Sequence, residues 1–152
     1  MQTLLLLLKH AETDRDSALA ACEMARRAEQ AARTQHQQLI DYRRDYETRW
    51  NTQFSQGGEM ALVRCYHEFM ARLSHAVDQQ QRTVQNATAN KDLALNALRE
   101  RELRVASVGK LIERRSREIR MGSERREQKQ FDEMAARVVR NVPLGMDFTA
   151  TR

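Results

Sequence analysis

Hydrophobic positions in this chain recur in sevens. Counting from Leu4 gives Leu4, Ala11, Ala18, Ala25, Ala32, Leu39 and Tyr46, with Leu7, Asp14, Ala21, Ala28, Gln35 and Tyr42 three residues later in each heptad. This is the seam of a coiled coil, alanine-rich in its middle. Small side chains there let two helices approach closely while burying little apolar area per residue. The periodic segment ends at Ser55-Gln56-Gly57-Gly58, where consecutive glycines mark a turn. A second and longer seam follows. Val63, Met70, Val77, Val84, Leu98, Val105, Ile112 and Ile119 share one heptad position, with Lys91 as the single polar interruption. The companion position carries Tyr66, Leu73, Ala87, Ala94 and Val108, interrupted by Gln80, Arg101 and Arg115.

The pattern predicts an all-α chain forming one elongated unit over 1–152: a long antiparallel two-helix coiled-coil hairpin. Helix 1 covers about 3–55, the turn about 56–58 and helix 2 about 59–140, with a short mobile C-terminal tail at 141–152. Val142-Pro143-Leu144-Gly145 ends the second helix, because proline cannot continue it and biases the preceding residue away from helical angles. Gly109 and Gly122 lie inside helix 2 as bend points or tolerated residues.

If both helices start at the glycines, facing residues have numbers summing to 115, so that Leu4 lies opposite Leu111. The first helix is then ~80 Å long and the second ~120 Å at ~1.5 Å per residue. Roughly 25 to 30 residues after Ile112 are left without a partner in the chain, and a lone helix in water is marginal. That segment carries Ile119, Phe131, Met134, Val138 and Val139, and packing on another molecule is expected.

Composition sharpens this picture. One Pro, five Gly and 31% charged residues leave few helix breakers, and four Phe, three Tyr and one Trp cannot fill a thick globule. The net charge of +5 raises nucleic-acid binding, but charges of both signs are interspersed and no basic patch laced with aromatics occurs. No nucleic-acid partner is therefore expected. The Leu4–Leu8 run is too short for a signal peptide and no basic residue precedes it, and no stretch is membrane-spanning. A cytoplasmic protein is expected.

Candidate chemistry is sparse. Cys22 and Cys65 lie ~40 Å apart along the hairpin, whereas a disulfide needs Cα atoms within about 7 Å, so both are read as free thiols. His10, His36, His67 and His75 never stand four apart on one helix face, and Cys65 and His67 point in different directions, so no metal site is expected. No phosphate loop, nucleophile elbow or acidic metal cluster is present. The chain reads as no enzyme, with no cofactor.

One region stands out. Gln35, Leu39, Tyr42 and Tyr46 fall opposite Gln80, Ala76, Leu73 and Phe69, and Val63, Tyr66, Met70 and Val77 widen the apolar stripe of helix 2 beyond what a two-stranded seam requires. The cluster is the thickest part of the core, and its excess width is a candidate partner surface.

These residues also carry a family resemblance. Leu39-Ile40-Asp41-Tyr42-Arg43-Arg44-Asp45-Tyr46, then Gly57-Gly58, then Tyr66-His67-Glu68-Phe69-Met70-Ala71-Arg72-Leu73 with Ala76 and Gln80, and finally Glu127-Gln128-Lys129-Gln130-Phe131-Asp132-Glu133-Met134-Ala135, resemble the FliJ family in order and spacing over nearly the whole chain. That family consists of antiparallel coiled coils similar to the central stalk of the rotary ATP synthase gamma subunit. The resemblance implies a component of the flagellar type III protein export apparatus with three kinds of partner: the hexameric export ATPase, the cytoplasmic domain of the export gate membrane protein, and substrate-specific export chaperones. It also implies peripheral association with the inner membrane at the export apparatus. By resemblance the gate-facing patch maps onto Gln35, Leu39, Tyr42, Tyr46, Phe69, Leu73, Ala76 and Gln80, although some relatives carry His where this chain has Gln80. An ATPase-ring contact is hypothesised at Arg114, Arg115, Arg117, Arg120, Arg125 and Arg126, with Phe131 and Met134 as apolar contacts. A generic scaffolding coiled coil is the alternative the same heptads allow, and the equivalent stalk of an injectisome is the alternative the resemblance allows.

Overall fold

A computed structural model of the chain describes residues 1–141. It contains two α-helices packed along one another, α1 (Gln2–Phe54, 53 residues) and α2 (Met60–Arg140, 81 residues). The fold is thus the all-α antiparallel hairpin that the heptads predict, with the second helix the longer. The expected proline stop and the tail after Asn141 lie outside the described residues. The accessible surface of 13003 Å² far exceeds the roughly 8,000 Å² of a compact globule of this mass. The hairpin is a rod with a seam instead of a central core.

The turn is built from Ser55 to Glu59. The Ser55 amide donates to the Asn51 carbonyl at 3.1 Å and the Gly57 amide to the Phe54 carbonyl at 3.1 Å. Gly57 adopts φ +89°, the left-handed region that an L side chain rarely enters. Gly58 is required for a different reason: the Phe54 ring lies over its backbone, and a Cβ there would meet Phe54 Cδ1 at 2.8 Å. Glu59, at φ −68° and ψ 141°, then starts α2 without a side-chain cap. Arg137 and Arg140 in the last turn of α2 complement the negative end of its dipole.

The register is visible in the contacts between the helices. Arg101 Nη1 lies 3.7 Å from Asp14 Oδ2, and the Tyr46 and Phe69 rings are 4.9 Å apart; both pairs sum to 115. On α2 the seam follows the heptads: Val63, Met70, Val77, Val84, Lys91, Leu98, Val105 and Ile112 are all buried or half-buried, as are Tyr66, Leu73, Gln80, Ala87, Ala94 and Val108. It stops at Ile112. Ile119, the next residue at that position, is exposed, and from Glu113 to Asn141 every residue except Gly122 is exposed.

On α1 the structure corrects half of the seam. The position holding Leu4, Ala11, Ala18, Ala25, Ala32, Leu39 and Tyr46 is buried or half-buried throughout, as the heptads require. Its companion lies four residues on, not three: Leu8, Arg15, Cys22, Glu29, His36, Arg43 and Trp50 turn inward, while of the predicted flank Leu7, Ala21, Ala28, Gln35 and Tyr42 are exposed and Asp14, which pairs with Arg101, is half-buried. A heptad seam alternates steps of three and four, so either flank can complete it. The sequence favours the wrong one because its three-step flank is the more apolar. The inward flank is polar, and is accommodated because Arg and His pack hydrocarbon against the seam while their heads reach water.

Candidate partner-binding surfaces

The inward flank of α1 brings a charged group into the alanine-rich middle. Glu29 is only 6% exposed. Its Oε2 receives Lys91 Nζ from α2 at 2.8 Å, and its Oε1 accepts from Arg33 Nε at 3.0 Å, Arg33 Nη2 at 2.8 Å and Thr88 Oγ1 at 3.1 Å. Hydrogen bonds from Lys91, then from Arg33, hold the carboxyl well below its ordinary value, at about 2, against the opposing effect of burial. Lys91, a polar interruption when α2 is read alone, is thus half of an interhelical ion pair. Among the described residues no buried side-chain polar atom lacks a partner. This cluster fixes the middle of the rod where small side chains supply little apolar contact, and buried polar pairs of this kind specify alignment more than they add stability.

Towards the turn the rod thickens into an aromatic ladder. The Tyr42 and Tyr46 rings lie 4.7 Å apart and Tyr46 meets Phe69 across the seam. The ladder continues in Trp50, which stacks on Phe54 at 4.9 Å and meets Tyr66 at 5.2 Å. The Tyr42 hydroxyl is pushed above its ordinary value, first by hydrogen bonding to Tyr46 and then by burial. The eight residues of the sequence-derived patch divide by depth. Leu73 is core, at 7% exposure; Leu39, Tyr46, Ala76 and Gln80 are half-buried; Gln35, Tyr42 and Phe69 are exposed, the latter two at 46% and 36%. Gln80 does not face Gln35: its amide donates to the Ala32 carbonyl at 3.1 Å. Heptad counting missed Trp50 and Phe54. Trp50 stands four residues after Tyr46, on the polar flank, and the four-residue spacing of Tyr42, Tyr46, Trp50 and Phe54 was the available signal.

The far end has a different character. Arg114 and Arg115 pair with Glu118 at 3.5 and 3.1 Å, and Arg117 with Glu113 at 3.8 Å. Such exposed pairs within one helix contribute little. Arg120, Arg125 and Arg126 make no ion pair among the described residues. Phe131 and Met134 are 69% and 60% exposed, and Val138 and Val139 more than 65%. The exposed turn-proximal residues and this segment stand far apart on one helix: Phe69 and Arg120 are separated by ~75 Å of α2.

No group of three His, Cys, Asp or Glu side chains gathers among the described residues, and no described helix is long and apolar enough to cross a membrane. Cys22 is buried in the seam and Cys65 is exposed, both as free thiols.

A family model described as Flagellar FliJ protein matches residues 1–143. Two curated relatives, each named Flagellar FliJ protein, match most of the chain. The Escherichia coli (strain K12) protein is 33% identical over 128 residues, covering 84% of this chain and 86% of the relative. The Salmonella typhi protein is 30% identical over 133 residues, covering 88% and 90%. With a family match spanning both helices and the turn between them, this chain belongs to the FliJ family.

Proposed function

We propose that the chain is a non-enzymatic component of the flagellar type III protein export apparatus, acting as a stalk that joins the export ATPase ring to the export gate. In this reading the Arg-rich segment beyond Ile112, together with Phe131 and Met134, enters the ring, promotes its assembly and stimulates hydrolysis. The aromatic turn end, through Tyr42, Phe69 and their half-buried neighbours, meets the cytoplasmic domain of the gate protein. Escort of substrate chaperones belongs to the same reading, as does a position at the cytoplasmic face of the inner membrane.

The observation that carries the proposal is the separation of two unlike exposed surfaces by a rigid seam. A scaffold that only spaces two bodies needs neither an aromatic ladder at one end nor an unpaired helix at the other. Unpaired arginines suit a lumen lined with carboxylates, since the guanidinium fork binds them in two-point fashion. Reconstitution with the cognate export ATPase tests the reading, with hydrolysis and ring formation compared for the full chain and for a chain ending at Ile112. The full chain is expected to stimulate both and the shortened chain neither. Equal stimulation by the two chains would refute the role assigned to the segment.

A further inference from the structure

α1 carries two possible inner faces of similar quality, of which the hairpin uses one. The row from Leu4 to Tyr46 in steps of seven is common to both. The flank in use runs from Leu8 to Trp50, and Arg15, Glu29, His36 and Arg43 are its polar members. The flank left outside runs from Leu7 to Arg49, and its polar members are Asp14, Gln35 and Arg49. It also holds Tyr42, 46% exposed, which would offset the loss of Trp50 from the seam. Hydrophobicity alone therefore does not choose between the two faces.

A few directional bonds make the choice. Glu29 binds Lys91 and Thr88 across the seam, and Gln80 donates to the Ala32 carbonyl. Asp14, on the other flank, nevertheless reaches Arg101 at 3.7 Å, so that flank already borders the seam. Large interlocking side chains, which normally fix a coiled-coil register, are scarce here: the shared row holds Ala11, Ala18, Ala25 and Ala32, and α2 contributes Ala87 and Ala94.

Exchanging the flanks is a defined movement. Successive helical residues are ~100° apart, so α1 turns by about 50° about its own axis. The shared row then changes heptad role, which requires a slide of half a heptad, ~5 Å along the rod. Sliding away from the turn sets Ala21, Ala28 and Tyr42 opposite Leu98, Lys91 and Val77, the places now faced by Ala18, Ala25 and Leu39. The stretch falls on the turn, where Gly57 and the uncapped start of α2 at Glu59 let the backbone lengthen.

We infer that the hairpin is a two-register rod, held in its present register by the bonds of Glu29 to Lys91 and Thr88, whose exchange carries Tyr42 from the exposed edge into the seam. The partner surface near the turn is complete in one register only, so a slide of α1 switches it. That consequence for binding rests on the gate reading proposed above; the exchange itself does not.

Disulfide trapping tests it, in the full chain with Cys22→Ala/Cys65→Ser. Ala18→Cys/Leu98→Cys reports the present register, Ala21→Cys/Leu98→Cys the second, and Ala20→Cys/Leu98→Cys, whose first cysteine points outward in both, reports random flexing; a bridge needs Cα atoms within about 7 Å. The Ala21 pair is expected to cross-link more slowly than the Ala18 pair but well above the Ala20 pair. Adding Glu29→Gln, or Glu29→Gln/Lys91→Leu, is expected to speed the Ala21 pair about 10-fold, a shift of one decade in population. Far-ultraviolet circular dichroism confirms that each variant stays helical. Ala21 cross-linking no faster than Ala20, or unmoved when the Glu29 bonds are removed from a helical chain, overturns the two registers. Trapped in the second register, the chain is expected to lose about 10-fold or more in affinity for the purified cytoplasmic domain of the export gate and to regain it on reduction. Wild-type affinity in the trapped chain overturns the switch. A wild-type chain that does not bind the gate domain overturns the gate reading instead, and the two registers are then decided by the cross-links alone.

Discussion

Leu73→Ala and Tyr42→Ala should have opposite consequences, although both residues belong to the patch that sequence alone groups together. Leu73 is 7% exposed, beside Val77 at 6%, and its side chain lies in the seam between the helices. Truncating a buried leucine costs about 2–5 kcal/mol, the larger values arising where the surroundings cannot close on the cavity. Here only two helices meet, and no third layer holds a cavity open. A loss of about 2–3 kcal/mol is therefore expected, and for a chain of this size it lowers Tm by roughly 4–12 °C. Tyr42 is 46% exposed and touches Tyr46 at one edge of the ladder, so its truncation removes surface and leaves the seam intact.

The assay is a pair of measurements on each variant: thermal unfolding by far-ultraviolet circular dichroism, and calorimetric titration with the purified cytoplasmic domain of the export gate. Leu73→Ala should melt early yet retain affinity when assayed well below its Tm. Tyr42→Ala should melt near wild type and lose affinity. A Leu73→Ala variant with wild-type Tm would remove that residue from the core and refute the depth argument. Full affinity in Tyr42→Ala would remove the exposed edge of the ladder from the partner surface.

Three further outcomes follow from the geometry. Lys91→Leu should lower Tm, because it takes from Glu29 Oε2 its partner at 2.8 Å and leaves the buried carboxylate held by Arg33 and Thr88 at Oε1 only, and adding Glu29→Leu should restore Tm at least in part; no recovery in the double variant would show that the pair does not act as a unit. The folded-state value of Glu29 is depressed from 4.5 to about 2, so its contribution is fully present above pH 4.5 and is lost as the pH falls through 2; the Tm difference between wild type and Glu29→Leu/Lys91→Leu should shift against the wild type across that window and stay flat above it. Gly57→Ala, at φ +89°, should destabilise the turn by about 1–2 kcal/mol, whereas Gly122→Ala, with nothing within 4 Å of the added Cβ, should stabilise α2 by up to about 1 kcal/mol, both read from denaturant unfolding.

What sequence could and could not reveal here has one physical origin. The seam of α2 was legible from Val63 to Ile112 because both of its positions are largely apolar and the few polar exceptions do not break the period, whereas the period alone runs on to Ile119, which is exposed because α1 no longer lies beside it. The hairpin register was legible too, since two glycines fix where both helices begin. α1 was legible only by half. Its true inner flank reads Leu8, Arg15, Cys22, Glu29, His36, Arg43 and Trp50, and hydrophobicity cannot recognise a seam whose members are mostly polar. That side of the helix is held by pairing, and pairing exists only between helices: Glu29 is legible as an inward residue only once Lys91 and Thr88 are known to face it. The same misplacement hid Trp50 and moved Gln35 and Tyr42 from the seam to the surface. Their exposure strengthens their candidacy as contact residues, because a tyrosine spent on the seam could not also meet a partner. The polar flank therefore has a consequence for function: by giving the inner side of α1 near the turn to His36 and Arg43, the chain leaves Tyr42 outside, at the end where contact with the export gate is proposed.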